Sequence, residues 1–566
     1  MIGPAVPDAP EVRMRSGYAA TALLAAVVLM AATAARAGEM LPPRTSVSTV
    51  DWEAAASAVP GRNGASAAEV FARLNARMAR RFPDIAKSTV PVLLPIDPPA
   101  QDAKDTKDTA AEITVGSFRP SNFFLPGPAG YHASFFLKEG AGLSIRYPRP
   151  VEIEMSGAAF VYDLDGPNIA QSDTTPKGFD DIPGLRRILR EAHVRYAFER
   201  FGVPYVVSIQ CFDGRVTPRR LSCRDADTIA SRFLKSLQVA GGTPGPSAKP
   251  PALDLTRPQT VSQNFTYLPA GQLIANSGYK GNGGRADDHV YAQIRFPLAR
   301  APAFAKSQSF NPWGDCYKTG RVGRLDRKGA PYRCKRNDKP LVFDESAPEN
   351  FSYPWRDNFC EARDTQVGQC PGGIGHQGQD IRPANCVLKN DRADRCEPYF
   401  HDVVAVRDGM ILRNPRLYTV YETAFIVTNT ETDNVRFRYM HMDPRHMDAD
   451  NIVSGRRVRQ GEVIGKVGNF YKHERGTSYH LHFDTQVFTR DGWVWVNPYM
   501  TLVAAYERLI GARGTEVARD SVGQAVPPQV MPEQLIEQQA SAKPKARGKS
   551  AHKPRAKRGK RGKRHR

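Results

Sequence analysis

No two of the eight cysteines are spaced as Cys-x-x-Cys, so neither a zinc ribbon nor a thioredoxin-like redox motif is expected. No apolar run beyond the first 40 residues approaches the length of a membrane span. Collagen-like and coiled-coil compositions are also missing. The last 24 residues, Lys543 to Arg566, contain no acid and 13 Lys or Arg. They account for most of the net charge of +21 and leave +8 for the remainder, so the basic balance does not indicate a nucleic-acid-binding protein.

What is present points to export. Arg13 and Arg15 precede an uncharged, mostly apolar run from about Gly17 to Ala35, and Ala35-Arg36-Ala37 fits a small-x-small cleavage site. Residues 1–37 therefore read as a signal peptide, with Met14 as an alternative start because Asp8 and Glu11 are unusual in a basic leader. An uncleaved N-terminal anchor is the alternative. Neighbouring cysteines lie close together, which favours disulfides in an oxidising compartment: Cys211 with Cys223, Cys316 with Cys334, Cys360 with Cys370, and Cys386 with Cys396. Spacing alone leaves other pairings open.

At 566 residues the chain is long enough for several domains. Residues 38–112 read as a helical and linker region. Ser66 and Glu69 have capping-box spacing before a helix over 66–82, with Val70, Phe71, Leu74 and Met78 on one face. Residues from about 96 to 112 read as linker. Residues 113–240 read as an α+β domain without a chemical motif, either a binding domain or a plain packing domain. In it Val151, Ile153 and Met155 alternate as a half-buried strand, Tyr205 to Cys211 form a buried strand, and Ile229, Phe233 and Leu237 line a helix. Pro183 is expected to open a helix carrying Leu185, Ile188, Leu189, Ala192 and Tyr196, closed by Gly202. A Gly/Pro/Ala-rich linker spans 241–259, and 260–339 reads as an irregular cysteine-containing region. Residues 340–512 hold the chemistry, and 513–566 form a disordered tail that ends basic.

Seven of the twelve histidines fall between His376 and His482. His376 and Asp380 sit among Gly372, Gly373, Gly375 and Gly378, which disfavour a helix, and both side chains are good zinc ligands. Tyr479 to Asp484 alternates as a strand, with His480, His482 and Asp484 on one face and Leu481 and Phe483 on the other. A His-x-His pair arises by chance roughly 0.25 times in such a chain, so it is weak alone. Val435, Phe437, Tyr439 and His441 share a face at period two. Taken alone, that segment reads as a core strand ending in a satisfied histidine.

Together these segments resemble the lysostaphin-type (LytM-like) zinc metallopeptidases, over about residues 372–502. Gly375-His376-Gln-Gly378-Gln-Asp380-Ile is similar to the family's G-x-H-x-G-x-D-I opening. Val404 to Met410 looks like the following hairpin, and Tyr439-Met-His441 is similar to Y-x-H-L. Val458 to Gly468 matches the strand-turn-strand, His480-Leu-His482-Phe483 the closing H-L-H-F, and Asn497-Pro498-Tyr499 the exit. Met442 and Asp484 depart from the family's leucine and glutamate, and Pro383 to His401 is longer than usual. The resemblance implies a mainly antiparallel β catalytic domain of the duplicated hybrid motif type in a multidomain chain. It also implies Zn2+ held by His376, Asp380 and His482, with His441 and His480 as catalytic non-ligands. His401, His446 and His473 are left as surface or loop residues.

The expectation is an exported zinc metalloendopeptidase of the periplasm or cell envelope that cuts peptide cross-links of bacterial peptidoglycan. By resemblance the target would be the D-alanyl-diaminopimelyl bridge. The alternatives are a silent family member that activates another wall hydrolase, and a wall-binding protein working through its N-terminal domain. The partners expected are peptidoglycan stem peptides and, for the basic tail, anionic envelope polymers. Because such attraction is screened over about 8 Å at physiological salt, deleting residues 543–566 should weaken retention on wall material at low salt. Activity on small soluble peptides should not change. Equal retention of both forms in a low-salt sedimentation assay counts against a binding tail.

Overall fold

The computed structural model describes residues 39–96, 117–138, 150–165, 179, 182–190, 193–211, 221–274, 277–279, 282–307, 315–318, 332–336, 339–340, 348–363, 365–383, 399–413, 425–471, 473–474 and 476–517. The expected signal peptide, the linker beyond Ile96, Cys386, Cys396 and the basic tail lie outside them. Among the described residues, no helix is long and apolar enough to cross a membrane.

The first half builds an antiparallel sheet with helices and short strand pairs against it. Its elements are β1 (Arg44–Val47), α1 (Trp52–Ser57), α2 (Ala67–Met78), β2 (Val92–Pro95), β3 (Phe118–Gly127), β4 (Gly130–Leu137), β5 (Glu152–Ala158), β6 (Phe160–Asp163), β7 (Arg186–Arg190), β8 (His193–Arg200), β9 (Val203–Gln210), α3 (Cys223–Lys235) and β10 (Leu237–Gly241). Helix α2 starts where the capping box predicts. Ser66 Oγ accepts the Glu69 N–H, and the Glu69 carboxylate accepts the Ser66 N–H at 2.9 Å. Val70, Phe71 and Met78 are buried, and Leu74 is half-buried. The main sheet has the order β3-β4-β5-β9-β8-β7. Strands β1 and β2 pair with β6 and β10, so residues before the linker belong to the same body as residues after it. Val151, Ile153 and Met155 are buried as expected.

The helix expected after Pro183 is not there. Residues 186–190 and 193–200 are strands β7 and β8, paired Arg186↔Ala197 through Arg190↔His193. The apparent helical spacing ran across two successive strands, and β8 is buried on both faces. Val194, Tyr196 and Phe198 enter the main core, while Ala197 joins Ile188, Phe488 and Trp493 in a second cluster. With both faces covered, period two is blurred. Leu237 also leaves the helix expected to carry it. Helix α3 ends at Lys235, and Leu237 begins β10 opposite Pro95.

The second half holds a larger antiparallel sheet. Its elements are β11 (Val261–Tyr267), β12 (Ala303–Ala305), β13 (Asp315–Lys318), β14 (Tyr332–Arg336), β15 (Lys339–Pro340), β16 (Gln379–Pro383), β17 (Asp402–Val404), β18 (Gly409–Leu412), β19 (Phe425–Asn429), β20 (Val435–Met440), α4 (Pro444–Ala449), β21 (Arg457–Val458), β22 (Val463–Lys466), β23 (Leu481–Thr489), β24 (Gly492–Val496), α5 (Tyr499–Ile510) and β25 (Arg513–Glu516). The sheet order is β12-β16-β23-β20-β19-β18-β21, with β24 also on β23. The region expected to be irregular contributes β11, parallel to β25, and β12, antiparallel to β16. Two expected disulfides are formed, Cys211–Cys223 and Cys360–Cys370. Strand register sets Cys316 directly opposite Cys334.

The turn between β19 and β20 locks the halves together. Asn434, fully buried, donates from Nδ2 to the carbonyls of Ala129 (2.9 Å) and Phe160 (2.8 Å). Its Oδ1 accepts from His132 Nε2 at 3.2 Å, and His132 Nδ1 accepts from Ser156 Oγ at 2.8 Å. The Ser156 hydroxyl could equally accept, so burial and not these partners keeps His132 neutral. Burial, and then the Arg436 guanidinium, push it down to about 4. Arg436 pairs with Glu154 at 3.0 Å and lies 4.5 Å from the Trp493 ring centre.

An unfolded histidine binds a proton below about 6.5, whereas buried His132 stays neutral to about 4. Stability from this group is therefore present above pH 6.5 and is lost as pH falls towards 4, by ~3 kcal/mol in all. His132→Gln should flatten the acid limb by about that amount in urea unfolding. Parallel wild-type and variant curves between pH 6.5 and 4 would rule the assignment out.

Candidate metal centre

Strands β16 and β23 run antiparallel with Asp380 opposite His482 and Ile381 opposite Leu481. Opposite residues share a face, so the carboxylate and the imidazole meet. His480 and Asp484 lie on that same face by alternation, and Leu481 and Phe483 are fully buried on the other. His376 arrives on the loop before β16. Gly375 and Gly378 let that loop pass tightly, since a Cβ would meet Cys360 Cα at 2.8 Å and the Phe483 carbonyl at 2.4 Å respectively.

The ring nitrogens are sorted by partners that can only accept. His376 Nδ1 donates to the Asn358 carbonyl at 2.9 Å, and His482 Nε2 donates to Asp484 Oδ2 at 3.1 Å. His480 Nδ1 donates to the Ser478 carbonyl at 2.8 Å. In a neutral ring the opposite nitrogen carries the lone pair, so these are the atoms available to a metal. His376 Nε2 lies 2.9 Å from His482 Nδ1 and 3.2 Å from Asp380 Oδ1, while His482 Nδ1 is 3.1 Å from that oxygen. Tetrahedral zinc with bonds near 2.0–2.1 Å spaces its ligands by about 3.3 Å. Three lone pairs in such a triangle repel unless a cation sits among them. The donor set of two imidazoles and one carboxylate fits zinc and leaves a fourth position open.

Electrostatics agree. Burial pushes His376 down to about 4, so it is a neutral donor at pH 7. Burial opposes ionisation of Asp380, yet His376 and His480 hold it well below the usual carboxylate range. Burial opposes a charge on His482, but Asp380 and Asp484 outweigh it and raise the imidazole. The same carboxylates would favour a metal cation there. Asp484 is itself held ionised by Arg438 at 2.6 Å and accepts from Trp495 Nε1 at 3.0 Å.

His441 reaches the site by a different route from the one its spacing suggests. By alternation it would follow Tyr439 onto the core face, since Tyr439 lies opposite Phe483. Strand β20 instead ends at Met440, and His441 has φ +71°, which turns its side chain across. Its ring centre lies 4.6 Å from His480 and 6.1 Å from His482. Nδ1 donates to the Phe470 carbonyl at 3.0 Å, which leaves Nε2 basic, and burial pushes the ring down to about 4. Burial pushes His480 well below the usual imidazole value. The five expected site residues thus come together. His401 is half-buried, and His446 and His473 are exposed.

The family model for peptidase family M23 matches residues 394–498, a span that includes His441, His480 and His482. Residues 394–498 are a peptidase family M23 domain. His376 and Asp380 lie upstream of the matched span and join the M23 domain through the β16–β23 pairing. No curated protein matches the chain. Among solved structures, a Ruminococcus gnavus protein described as a glycyl-glycine endopeptidase LytM is 21% identical over 25% of this chain, with a TM-score of 0.17. This chain spans 49% of that protein's length.

Sequence reading missed Asn358, whose carbonyl orients His376 and whose Oδ1 accepts the Asp380 N–H at 3.1 Å. It also treated Asp484 only as a departure from pattern, although the alternation already placed it beside His482. A carboxylate behind a metal-binding imidazole sets its tautomer and typically matters 10- to 100-fold in affinity. Asp484→Asn should therefore weaken zinc binding by roughly that factor in chelator competition, with the fold retained. Unchanged affinity would remove Asp484 from the site.

Proposed function

We propose that this protein is a zinc metalloendopeptidase that hydrolyses peptide cross-links of bacterial peptidoglycan after export to the periplasm or envelope. The observation that carries the reading is the convergence of three inward-facing donor atoms, from His376, Asp380 and His482, beside the neutral imidazoles of His441 and His480, three of the five residues lying within the M23 match. The cross-link specificity rests on the family resemblance alone.

Zinc held by His376, Asp380 and His482 would supply Lewis acidity, which acidifies water and polarises a peptide carbonyl. The chain's own residues would do the rest. His480 and His441 both turn Nδ1–H to a backbone carbonyl, so each offers a basic Nε2. One imidazole takes the proton of the attacking water. The imidazolium so formed, or its neighbour once that same proton is passed across, steadies the oxyanion and returns the proton to the leaving amine; the two ring centres lie 4.6 Å apart. Asp484, pinned by Arg438 and Trp495, keeps His482 from turning.

A non-catalytic activator of another hydrolase has no need of this set, and all five side chains are in place. The two classes of residue make opposite forecasts for metal content. His482→Ala should lose both zinc and activity. His441→Ala or His480→Ala should retain most of the zinc and lose roughly 10²- to 10⁴-fold in rate. Zinc is read by elemental analysis, and cleavage by digesting purified wall material and identifying the new ends by mass. Full activity in either histidine variant, or loss of zinc from His441→Ala as complete as from His482→Ala, would overturn the roles.

A further inference from the structure

All three candidate ligands trace back to one short segment outside the M23 match, and that segment is closed by a disulfide. Residues 357–363 run beside His376. Cys360 N–H donates to the His376 carbonyl at 2.9 Å, and His376 N–H donates to the Glu361 carbonyl at 2.7 Å. With the bond from His376 Nδ1 to the Asn358 carbonyl, this segment makes three of the contacts that orient His376. Asp380 is held from the same segment. Its N–H donates to Asn358 Oδ1, and Arg363 Nη2 lies 3.7 Å from its Oδ2 and 3.6 Å from Glu361 Oε2. The guanidinium thus faces the carboxylate oxygen pointing away from the imidazoles, leaving Oδ1 for the metal.

His482 is reached through Trp495. The indole donates to Asp484, which orients His482, and its ring packs in a buried cluster with Phe359, Cys360, Val367 and Cys370. The disulfide lies inside that cluster. Cys360 itself has φ +71°, a left-handed backbone that a non-glycine residue keeps only when its surroundings hold it there. The Cys360–Cys370 bond and the Cys360 N–H bond to His376 both tie that residue, in a loop whose described residues form no helix or long strand of their own.

We infer that the Cys360–Cys370 disulfide and Arg363 are positioning elements of the metal centre: closing this loop presents His376, Asp380 and, through Trp495, His482 in ligand geometry. The inference rests on the zinc reading above. A centre built this way has its full metal affinity only where cysteines stay paired, which ties the activity to an oxidising compartment.

The test compares zinc affinity of full-length proteins by competition with a chromophoric chelator, with circular dichroism as the check on fold. Serine cannot replace the thiolate as a ligand, so Cys360→Ser with Cys370→Ser reads the fastening alone. That variant should bind zinc 10- to 100-fold more weakly than wild type. Removing the other described disulfide, by Cys211→Ser with Cys223→Ser, should leave affinity unchanged. Arg363→Gln should lose about tenfold, and Arg363→Lys should recover most of it, because charge beside Asp380 is what matters. If the Cys360/Cys370 variant fails to fold, the Arg363 pair decides the matter. Wild-type affinity in folded Cys360→Ser/Cys370→Ser or in Arg363→Gln overturns the inference while leaving the zinc reading intact. Absence of zinc binding by wild type overturns both.

Discussion

The register between β16 and β23 is the constraint on which the centre depends. It sets Asp380 against His482, two residues more than a hundred positions apart, and shares one face among His480, His482 and Asp484. A slip of one residue would exchange that face for the one carrying Leu481 and Phe483. Those two side chains are fully buried in the core, so such a slip would set them among the polar groups of the centre and put charge into the apolar core in their place. The core therefore selects the register, and the register delivers the ligands. The geometry of the candidate centre is here a by-product of hydrophobic alternation.

Burial then converts placement into chemistry. Five ionisable groups lie within a few ångströms and nearly out of reach of water. In that setting each imidazole proton must go to a defined acceptor, and the acceptors are Asn358, Phe470, Ser478 and Asp484. Every one of them lies on the outer side of its ring. The lone pairs are left facing inward, where only a cation or a proton can relieve their repulsion. This is why the same burial that keeps His376 and His441 neutral also makes the centre attractive to a metal.

What could be read from the sequence was what is local or strongly patterned. The capping box at Ser66 and Glu69 was legible because both partners lie three residues apart. So was the His480–His482 face, because alternation over six residues fixes it. His376 and Asp380 gained meaning only through family resemblance, since nothing local joins them to β23. The turn at His441 left no mark, because a histidine at φ +71° looks the same in sequence as one continuing a strand. Within 340–512, the segment 357–363 drew no reading beyond the pairing of Cys360, for a related reason. Its ties to His376 are mainly main-chain bonds, which no side-chain pattern encodes. The helix misread after Pro183 shows the converse. Its spacing was helical by coincidence, and hairpin pairing with the next strand, β9, prevailed, Val194 opposite Ile209 and Tyr196 opposite Val207.

The N-terminal half enters the same chain of constraint through β20. That strand carries His441 just past its C-terminal end and Asn434 just before its start. Asn434 is fixed by two carbonyls and His132 of the N-terminal half, and Tyr162 donates to the neighbouring Asp433 carbonyl at 2.8 Å. Strand β20 is paired on both sides, to β19 and β23, so it cannot shift along its length without breaking both ladders. Anchoring its start therefore fixes where its end emerges. The body without a chemical motif of its own is thus tied to the centre through the strand beyond whose end His441 meets His480.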